Sequence, residues 1–153
     1  MLARTRGIDG MADDPRTATV RFSVPFADVD SFQVVWHANY LKYFDLARDR
    51  LFCDAGLDLY QVAADSGVVF PIIRTQTKHI HPLRFRDEAL CTATLVECEV
   101  RLVVDFEIRL ARDGRLCARG RTEQAAVRFD GLGLELRVPD PIRRALRDVA
   151  HDG

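Results

Sequence analysis

Asp30 and His37 are the residues whose chemical types and spacing could support catalysis. Asp30 lies in the segment FADVDSFQVV, and His37 follows it by seven residues, where a helix is predicted to begin. A carboxylate can attack a carbonyl carbon or take a proton from water. The backbone N–H groups of a helix start have no intrahelical acceptor, so the region of His37 and Ala38 could stabilise a negatively charged oxygen. Together these two elements predict hydrolysis of an acyl bond.

Other catalytic groups have less support in the sequence. No serine occurs in a G-x-S-x-G motif, and no cysteine occurs in a recognisable nucleophile motif, so a carboxylate is the remaining candidate. Two carboxylates compete with Asp30. We expect Asp28 to form a structural hydrogen bond in the turn, and we expect Asp45 to form an ion pair on the helix surface.

His79 and His81 form the closest histidine pair, and on a predicted strand they would share one face. Such a pair can ligate zinc, but no third ligand lies at a suitable spacing, and the alternative is a pair of solvent-exposed or pocket-rim histidines. The cysteines are widely spaced with no C-x-x-C pair, so we expect reduced, mostly buried thiols at Cys53, Cys91, Cys98 and Cys117. The sequence therefore predicts no metal and no cofactor.

Hydrophobic periodicity predicts the elements that would position this site. From Asn39 to Ala55, apolar residues recur at three- and four-residue steps, which predicts an amphipathic helix that ends before Gly56. Strands are predicted over residues 17–24, 68–80, 89–99, 101–111 and 115–129, and shorter helices over residues 57–66 and 142–149. Asp113-Gly114 predicts a hairpin turn. This order predicts an α+β domain with an antiparallel sheet.

Length and charge limit the class of protein. The chain has 153 residues and 48% hydrophobic composition, which is enough for one domain over residues 17–150, and residues 1–16 lack periodicity and are expected to form a disordered tail. With 22 basic and 23 acidic side chains the net charge is −1, so neither nucleic acid nor an anionic membrane is an expected partner. No uncharged stretch approaches the about 20 residues that span a bilayer, and we expect a cytoplasmic protein.

The segment from Asp28 to Arg48 carries a specific motif, D-x-D-x-x-x-V-V-W-H-A-N-Y-L-x-Y-F-D-x-A-R. This motif resembles the signature of the 4-hydroxybenzoyl-CoA thioesterase-like hotdog proteins, a family of acyl-CoA thioesterases. From about Val20 to Leu146 the order of predicted elements also agrees with that family, although there the similarity is one of pattern. The resemblance implies the hotdog fold, in which a curved antiparallel β-sheet wraps around one long central helix.

The resemblance also implies roles for residues of the motif. The second Asp of the D-x-D is the family's catalytic carboxylate, as nucleophile or general base, and that position is Asp30. The backbone amide that polarises the thioester carbonyl falls at His37, whose side chain is also implied to orient water or substrate. Trp36 is assigned to the pocket wall or the subunit interface, and Asn39 and Tyr40 are expected to hold the turn and helix start beside the substrate.

Further substrate contacts are implied from a second subunit, because hotdog proteins form their sites between subunits. Phe70 of the partner subunit, within the segment 70–77, is assigned to the acyl pocket. Arg101 is the candidate for binding the phosphates of coenzyme A, ahead of the arginines of the predicted C-terminal helix. The chain is therefore expected to form a homodimer or a homotetramer.

Two residues of the motif region depart from the family pattern. Gln33 stands where the family usually has Gly, and a positive φ at that position would strain a glutamine. Phe26 stands where many relatives have Tyr, so the hydrogen bond of that hydroxyl is absent. Both departures affect the expected substrate and rate rather than the fold.

The sequence thus predicts a thioesterase that cleaves an acyl-CoA or an acyl-carrier-protein thioester. Two other functions remain open. One is a hotdog dehydratase or hydratase, although the histidine–carboxylate pattern of such an enzyme is not evident in the helix region. The other is a non-catalytic acyl-CoA-binding protein, which the Gln33 departure would permit.

Overall fold

A computed structural model describes residues 16–130, 133–135 and 137–148 of the chain. The helices are α1 (Asn39–Asp54), α2 (Leu59–Ser66) and α3 (Asp140–Asp148). The strands are β1 (Thr17–Ser23), β2 (Val68–Val69), β3 (Ile72–His79), β4 (Glu88–Glu97), β5 (Arg101–Leu110), β6 (Leu116–Ala125) and β7 (Val127–Arg128). Within these ranges, no helix is long and apolar enough to cross a membrane.

Five strands form one antiparallel sheet in the order β1, β4, β5, β6, β3, and β2 pairs with β7 in a separate two-stranded sheet. The β5–β6 hairpin turns at Asp113 and Gly114, as predicted, and Gly114 adopts a φ of 74° there. β3 is an edge strand of the large sheet. Ile72 and Ile73 on it are 41% and 50% exposed, so this edge combines open backbone groups with apolar side chains.

α1 packs against the large sheet through the apolar stripe that the sequence predicted. Phe44, Ala47 and Leu51 are fully or almost fully buried. The Phe44 ring stacks on Phe106 of β5 with ring centroids 4.6 Å apart. Gly120 of β6 permits this contact, because a Cβ atom there would come within 2.3 Å of the Phe44 ring. The predicted α+β hotdog architecture, a long helix on an antiparallel sheet, is confirmed.

Several predicted strands and helices begin or end at other residues than the sequence predicted. The predicted strand 68–80 is interrupted at Phe70 and Pro71, because proline has no N–H with which to continue the hydrogen-bond ladder. At this break the Gln124 side chain donates a hydrogen bond to the Phe70 carbonyl at 2.8 Å. The predicted strand 115–129 is likewise interrupted, at Ala126. α3 begins two residues earlier than predicted, at Asp140. Its predicted last residue, and the predicted tail apart from Arg16, lie outside the described residues.

Candidate active site

The loop between β1 and α1 folds back on itself and so presents Asp30. Val29 and Val35 form an antiparallel bridge. Within this bridge the Asp30 N–H donates to the Val34 carbonyl and the Gln33 N–H donates to the Asp30 carbonyl, both at 2.9 Å. Gln33 closes the turn with a φ of 64°, a left-handed conformation that costs a non-glycine residue about 1–2 kcal/mol. The motif's Gly position therefore does require a positive φ.

Asp28 fastens the base of this loop to α1. Its buried carboxylate forms an ion pair with Lys42 and accepts a hydrogen bond from the Tyr43 hydroxyl at 2.6 Å. Its carbonyl accepts hydrogen bonds from the Trp36 N–H at 2.9 Å and from Asn39 Nδ2 at 3.0 Å. Burial opposes ionisation, but the hydrogen bonds from Lys42 and Tyr43 outweigh it and lower the pKa of Asp28 below its ordinary value. These contacts agree with the structural role predicted for Asp28.

The Asp30 side chain has one carboxylate oxygen available for chemistry. Oδ1 accepts a hydrogen bond from the Phe32 N–H at 2.8 Å, which fixes the orientation of the carboxylate. Oδ2 has no hydrogen bond or ion pair to any group in the described part of the chain. Asp30 is partly exposed, so this second oxygen can reach a bound molecule.

The turn before α1 contributes two free hydrogen-bond donors. The Asn39 N–H donates to the Trp36 carbonyl at 2.9 Å, and the Tyr40 N–H donates to the His37 carbonyl at 3.4 Å. The N–H groups of His37 and Ala38 donate to no acceptor among the described residues. Because these N–H groups also lie at the positive end of the helix dipole, they can stabilise a negative oxygen.

Asp30 and His37 open into the same cleft, which has a volume of about 280 Å³. The loop contributes Asp30 and Val34, the start of α1 contributes His37 and Tyr40, and the end of β3 with the residues after it contributes the wall from His79 to Pro82. Asp30 and His37, which carry the carboxylate oxygen and one of the two N–H groups without a partner in the described ranges, therefore line one cavity. This is the arrangement that attack on a carbonyl group requires.

Two hydrogen bonds hold the walls of this cleft together. The Val35 N–H donates to the Leu83 carbonyl at 2.8 Å, which joins the Asp30 loop to the segment after β3. The Leu83 N–H donates to the hydroxyl of Tyr40 at 3.3 Å, which joins the same segment to α1. Tyr40 is 3% exposed, and burial raises the pKa of its hydroxyl, so it stays protonated near neutral pH. The positions of Asp30 and His37 thus depend on Leu83 as a common anchor.

His79, for which the sequence left open a metal pair, a solvent-exposed position or a position on a pocket rim, lines this cleft. The ring of His79 packs edge-on against the ring of Tyr40, with centroids 4.7 Å apart, and faces the cleft that contains Asp30. Burial, followed by the nearby His37, lowers the pKa of His79. In the sequence, the only indication of this position is that His79 falls at the end of a predicted strand. Its place in the cleft depends on the segment after β3, which Leu83 ties to the Asp30 loop and to α1.

Trp36 and Asn39 lie in the turn beside the cleft, where Trp36 is exposed and the Asn39 side chain is held by a hydrogen bond. Trp36 is 49% exposed, and its ring centroid lies 5.3 Å from that of His37, so the indole can form an outer wall. The amide of Asn39 is bonded to the Asp28 carbonyl and holds the turn. Contact of these residues with substrate stays a prediction.

The sheet register places Phe70 and Arg101 away from the cleft of their own chain. His79 is paired with Ala118 of β6, and Ala118 is paired with Ile108 of β5. Arg101 precedes Ile108 by seven residues on β5, which corresponds to about 23 Å at about 3.3 Å per residue. Phe70 precedes β3 and lies beyond the opposite end of that strand from His79. Neither residue lines the cleft of its own chain, and their contact with substrate stays a prediction.

Asp45 lines a separate cavity of about 350 Å³, whereas His79 and His81 line the Asp30 cleft. Asp45 is exposed, forms an ion pair with Arg48 and does not line the cleft. Arg48 in turn donates to the Thr122 hydroxyl at 3.2 Å, so this group links α1 to β6. No cluster of three or more metal-ligating side chains suited to a metal ion occurs in the described ranges.

Comparison with known proteins matches this chain to thioesterases and to hydrolases of CoA thioesters. The family model described as "Thioesterase-like superfamily" matches residues 24–146. A 1,4-dihydroxy-2-naphthoyl-CoA hydrolase of Thermosynechococcus vestitus is 34% identical over 70 residues, which cover 46% of this chain and 48% of that protein. The chain thus matches about half the length of this relative.

Solved structures match over more of the chain. A 1,4-dihydroxy-2-naphthoyl-CoA thioesterase from Synechocystis superposes with a TM-score of 0.79 at 22% identity, covering 86% of this chain and 96% of that one. A 4-hydroxybenzoyl-CoA thioesterase variant in complex with 4-hydroxybenzoyl-CoA superposes with a TM-score of 0.77 at 21% identity, covering 86% and 99%. At these identities the likeness shows a common fold.

Proposed function

Because the chain belongs to the thioesterase-like superfamily, we propose that it hydrolyses acyl-CoA thioesters with Asp30 as the reactive carboxylate. One observation carries this proposal: Asp30, whose Oδ2 has no partner among the described residues, and His37, whose N–H has none there either, line one cleft. The names of the matched relatives, which include CoA thioester hydrolases, support the same substrate class.

The proposed chemistry divides the cleft into two functions. The thioester carbonyl oxygen points to the N–H of His37 and Ala38, which stabilise the negative charge that develops when the carbonyl carbon is attacked. Asp30 either attacks that carbon itself or takes a proton from the water that attacks it. The carbon–sulfur bond then breaks, and the thiolate of coenzyme A leaves. The side chain of His37 would orient the water or the substrate, and Trp36, Asn39 and Tyr40 would frame them.

The edge strand β3 supports a dimer as the active form. Its apolar, exposed residues Ile72 and Ile73 and its open backbone groups suit pairing with a second copy. Antiparallel pairing of β3 with its copy would bring the Phe70 end of one strand to the His79 end of the other. Phe70 of the partner subunit would then lie beside the cleft, as the acyl pocket requires.

Arg101 fits the same dimer. It pairs with Ala125 on the sheet, one residue beyond Gln124, which pairs with Ile72 of β3. Arg101 therefore lies at the end of the sheet that would approach the cleft of the partner subunit. Its guanidinium is half exposed and forms only a long contact, 3.5 Å, to Glu123, so it is available for a phosphate of coenzyme A.

The test of this function is release of free thiol from a panel of acyl-CoA substrates. Acetyl-, hexanoyl-, benzoyl- and 4-hydroxybenzoyl-CoA would be incubated with the purified chain, and thiol would be detected with a chromogenic disulfide. We expect turnover of at least one of these substrates, and a matched acyl-carrier-protein thioester would then decide between the two carriers. Binding of acyl-CoA without thiol release would instead identify a non-catalytic acyl-CoA-binding protein.

A further inference from the structure

His79 is exposed at the end of β3 and lines the cleft, where its backbone and ring both have defined contacts. Its backbone is fixed by pairing with Ala118, and immediately after it the N–H groups of Ile80 and His81 both donate to the Cys117 carbonyl, at 2.8 and 3.0 Å. Its ring lies edge-on to Tyr40, 4.7 Å away at an interplanar angle of 80°. The imidazole is therefore presented to the same cavity as Asp30.

Several titratable groups lie around His79. Asp30, His37, Tyr40 and His81 line the same cleft, and the carbonyl of Cys117 on β6 accepts hydrogen bonds from the backbone just after His79. Burial raises the pKa of both Tyr40 and Cys117, so these two groups stay protonated. Burial and the neighbouring His37 lower the pKa of His79, which keeps a free ring nitrogen available as a proton acceptor.

We propose that His79 is the base that activates the hydrolytic water, an inference that rests on the thioesterase function proposed above. In this assignment Asp30 is the nucleophile, because Oδ1 is bonded to the Phe32 N–H while Oδ2 is free in the cleft. Attack by Oδ2 forms an acyl–Asp30 anhydride and releases the thiolate. His79 then takes a proton from water as the water oxygen bonds to the acyl carbon.

The remaining steps balance the proton and the bonds. The bond between the acyl carbon and Asp30 Oδ2 breaks, which yields the free acid and restores the carboxylate of Asp30. The released thiolate takes a proton from solvent and becomes the thiol of coenzyme A, and the imidazolium of His79 gives its proton back to solvent and returns to neutral. The net reaction is thioester plus water to acid plus thiol, with no further reactant.

The test compares His79→Gln with His37→Gln, each assayed by rapid mixing with the acyl-CoA that the parent turns over fastest. Glutamine keeps a hydrogen-bonding side chain but cannot accept the proton. For His79→Gln we expect one equivalent of thiol per active site in an initial burst. Steady-state turnover should then be at least about 10²-fold slower than that of the parent, as for loss of a general base. The mass of the quenched variant should increase by one acyl group, and KM should fall together with kcat, so that kcat/KM stays within threefold of the parent.

The pH profile gives the second readout. The kcat of the parent should fall as acid protonates His79, at a pH below the ordinary pKa of histidine, and His79→Gln should lose that acid limb. His37→Gln should keep the limb but move it to higher pH, because His37 is one of the groups that lower the pKa of His79. A His79→Gln variant with kcat within threefold of the parent, or with slow turnover and no burst, would overturn the assignment while leaving the thioesterase function in place. A parent that releases no thiol would overturn both.

Discussion

Replacing Asp28 with Asn should destabilise the protein by about 2 kcal/mol at neutral pH. The carboxylate is 5% exposed and accepts a charge-assisted hydrogen bond from the Tyr43 hydroxyl at 2.6 Å, an interaction worth about 1.5–3 kcal/mol. The ion pair with Lys42 adds less, because the Lys42 side chain is 52% exposed and screened by water. At about 3–5 °C per kcal/mol for a domain of this size, the melting temperature should fall by about 6–10 °C.

The pH dependence of this loss follows from the lowered pKa of Asp28. A group whose native pKa lies below its unfolded value, about 3.9 for Asp, contributes stability above that value and loses it as the pH falls through the native pKa. The difference in melting temperature between parent and Asp28→Asn should therefore be full at pH 7 and should narrow as the pH falls from 5 towards 3.

The assay is thermal unfolding followed by circular dichroism at one fixed protein concentration across this pH range. Tyr43→Phe is the matched control, since it removes one hydrogen bond and leaves the charge of Asp28 paired with Lys42; we expect it to lose about half as much stability. A difference between parent and Asp28→Asn that is below 1 °C at pH 7, or that does not change with pH, would refute the view that Asp28 anchors the loop as a buried carboxylate.

Three further predictions test the loop, the core and the interface. Gln33→Gly should raise the unfolding free energy by about 0.5–1 kcal/mol, since relief of the left-handed strain exceeds the entropy cost of glycine, whereas Gln33→Ala should not; denaturant titration measures both. Gly120→Ala should lower that free energy by about 1–3 kcal/mol, because its Cβ would collide with Phe44, and an unchanged titration would contradict the packing. Ile73→Asp should reduce the mass in light scattering from a dimer or larger species towards 17.3 kDa, whereas Val96→Asp, equally exposed on β4, should not; a monomeric parent would contradict the proposed interface.

The long helix and its partner sheet could be predicted because local patterns specify them. The three- and four-residue spacing of buried positions such as Phe44 and Leu51 identifies α1, and the alternation from Thr17 identifies β1. The motif from Asp28 to Arg48 identified the family, which the match over residues 24–146 confirms. Pro71 was the available signal for the break between β2 and β3, but apolar composition on both sides concealed it.

The contacts of the site could be predicted only in part, because they depend on distant segments. Because the family usually has Gly at the position of Gln33, the motif allowed for a positive φ there, and the structure shows one. The bond from Tyr43 to Asp28 requires the loop to lie along α1, and the placement of His79 requires the register between β3 and β6 together with the crossing to Leu83. Local spacing does not specify these registers, so the sequence alone leaves His79 open as part of a metal pair or as a pocket-rim or solvent-exposed histidine.

The central claim, that Asp30 is the reactive carboxylate, is tested most directly by the turnover of Asp30→Asn. Asparagine keeps the Oδ1 that accepts the Phe32 N–H, so the fold should be retained, with a melting temperature close to that of the parent. We predict that thiol release from the best acyl-CoA substrate falls by about 10²-fold or more, while Asp45→Asn, which alters an exposed ion pair outside the cleft, stays near the parent rate. Turnover of Asp30→Asn within threefold of the parent would contradict the account, and an equal loss in Asp45→Asn would move the chemistry to the helix.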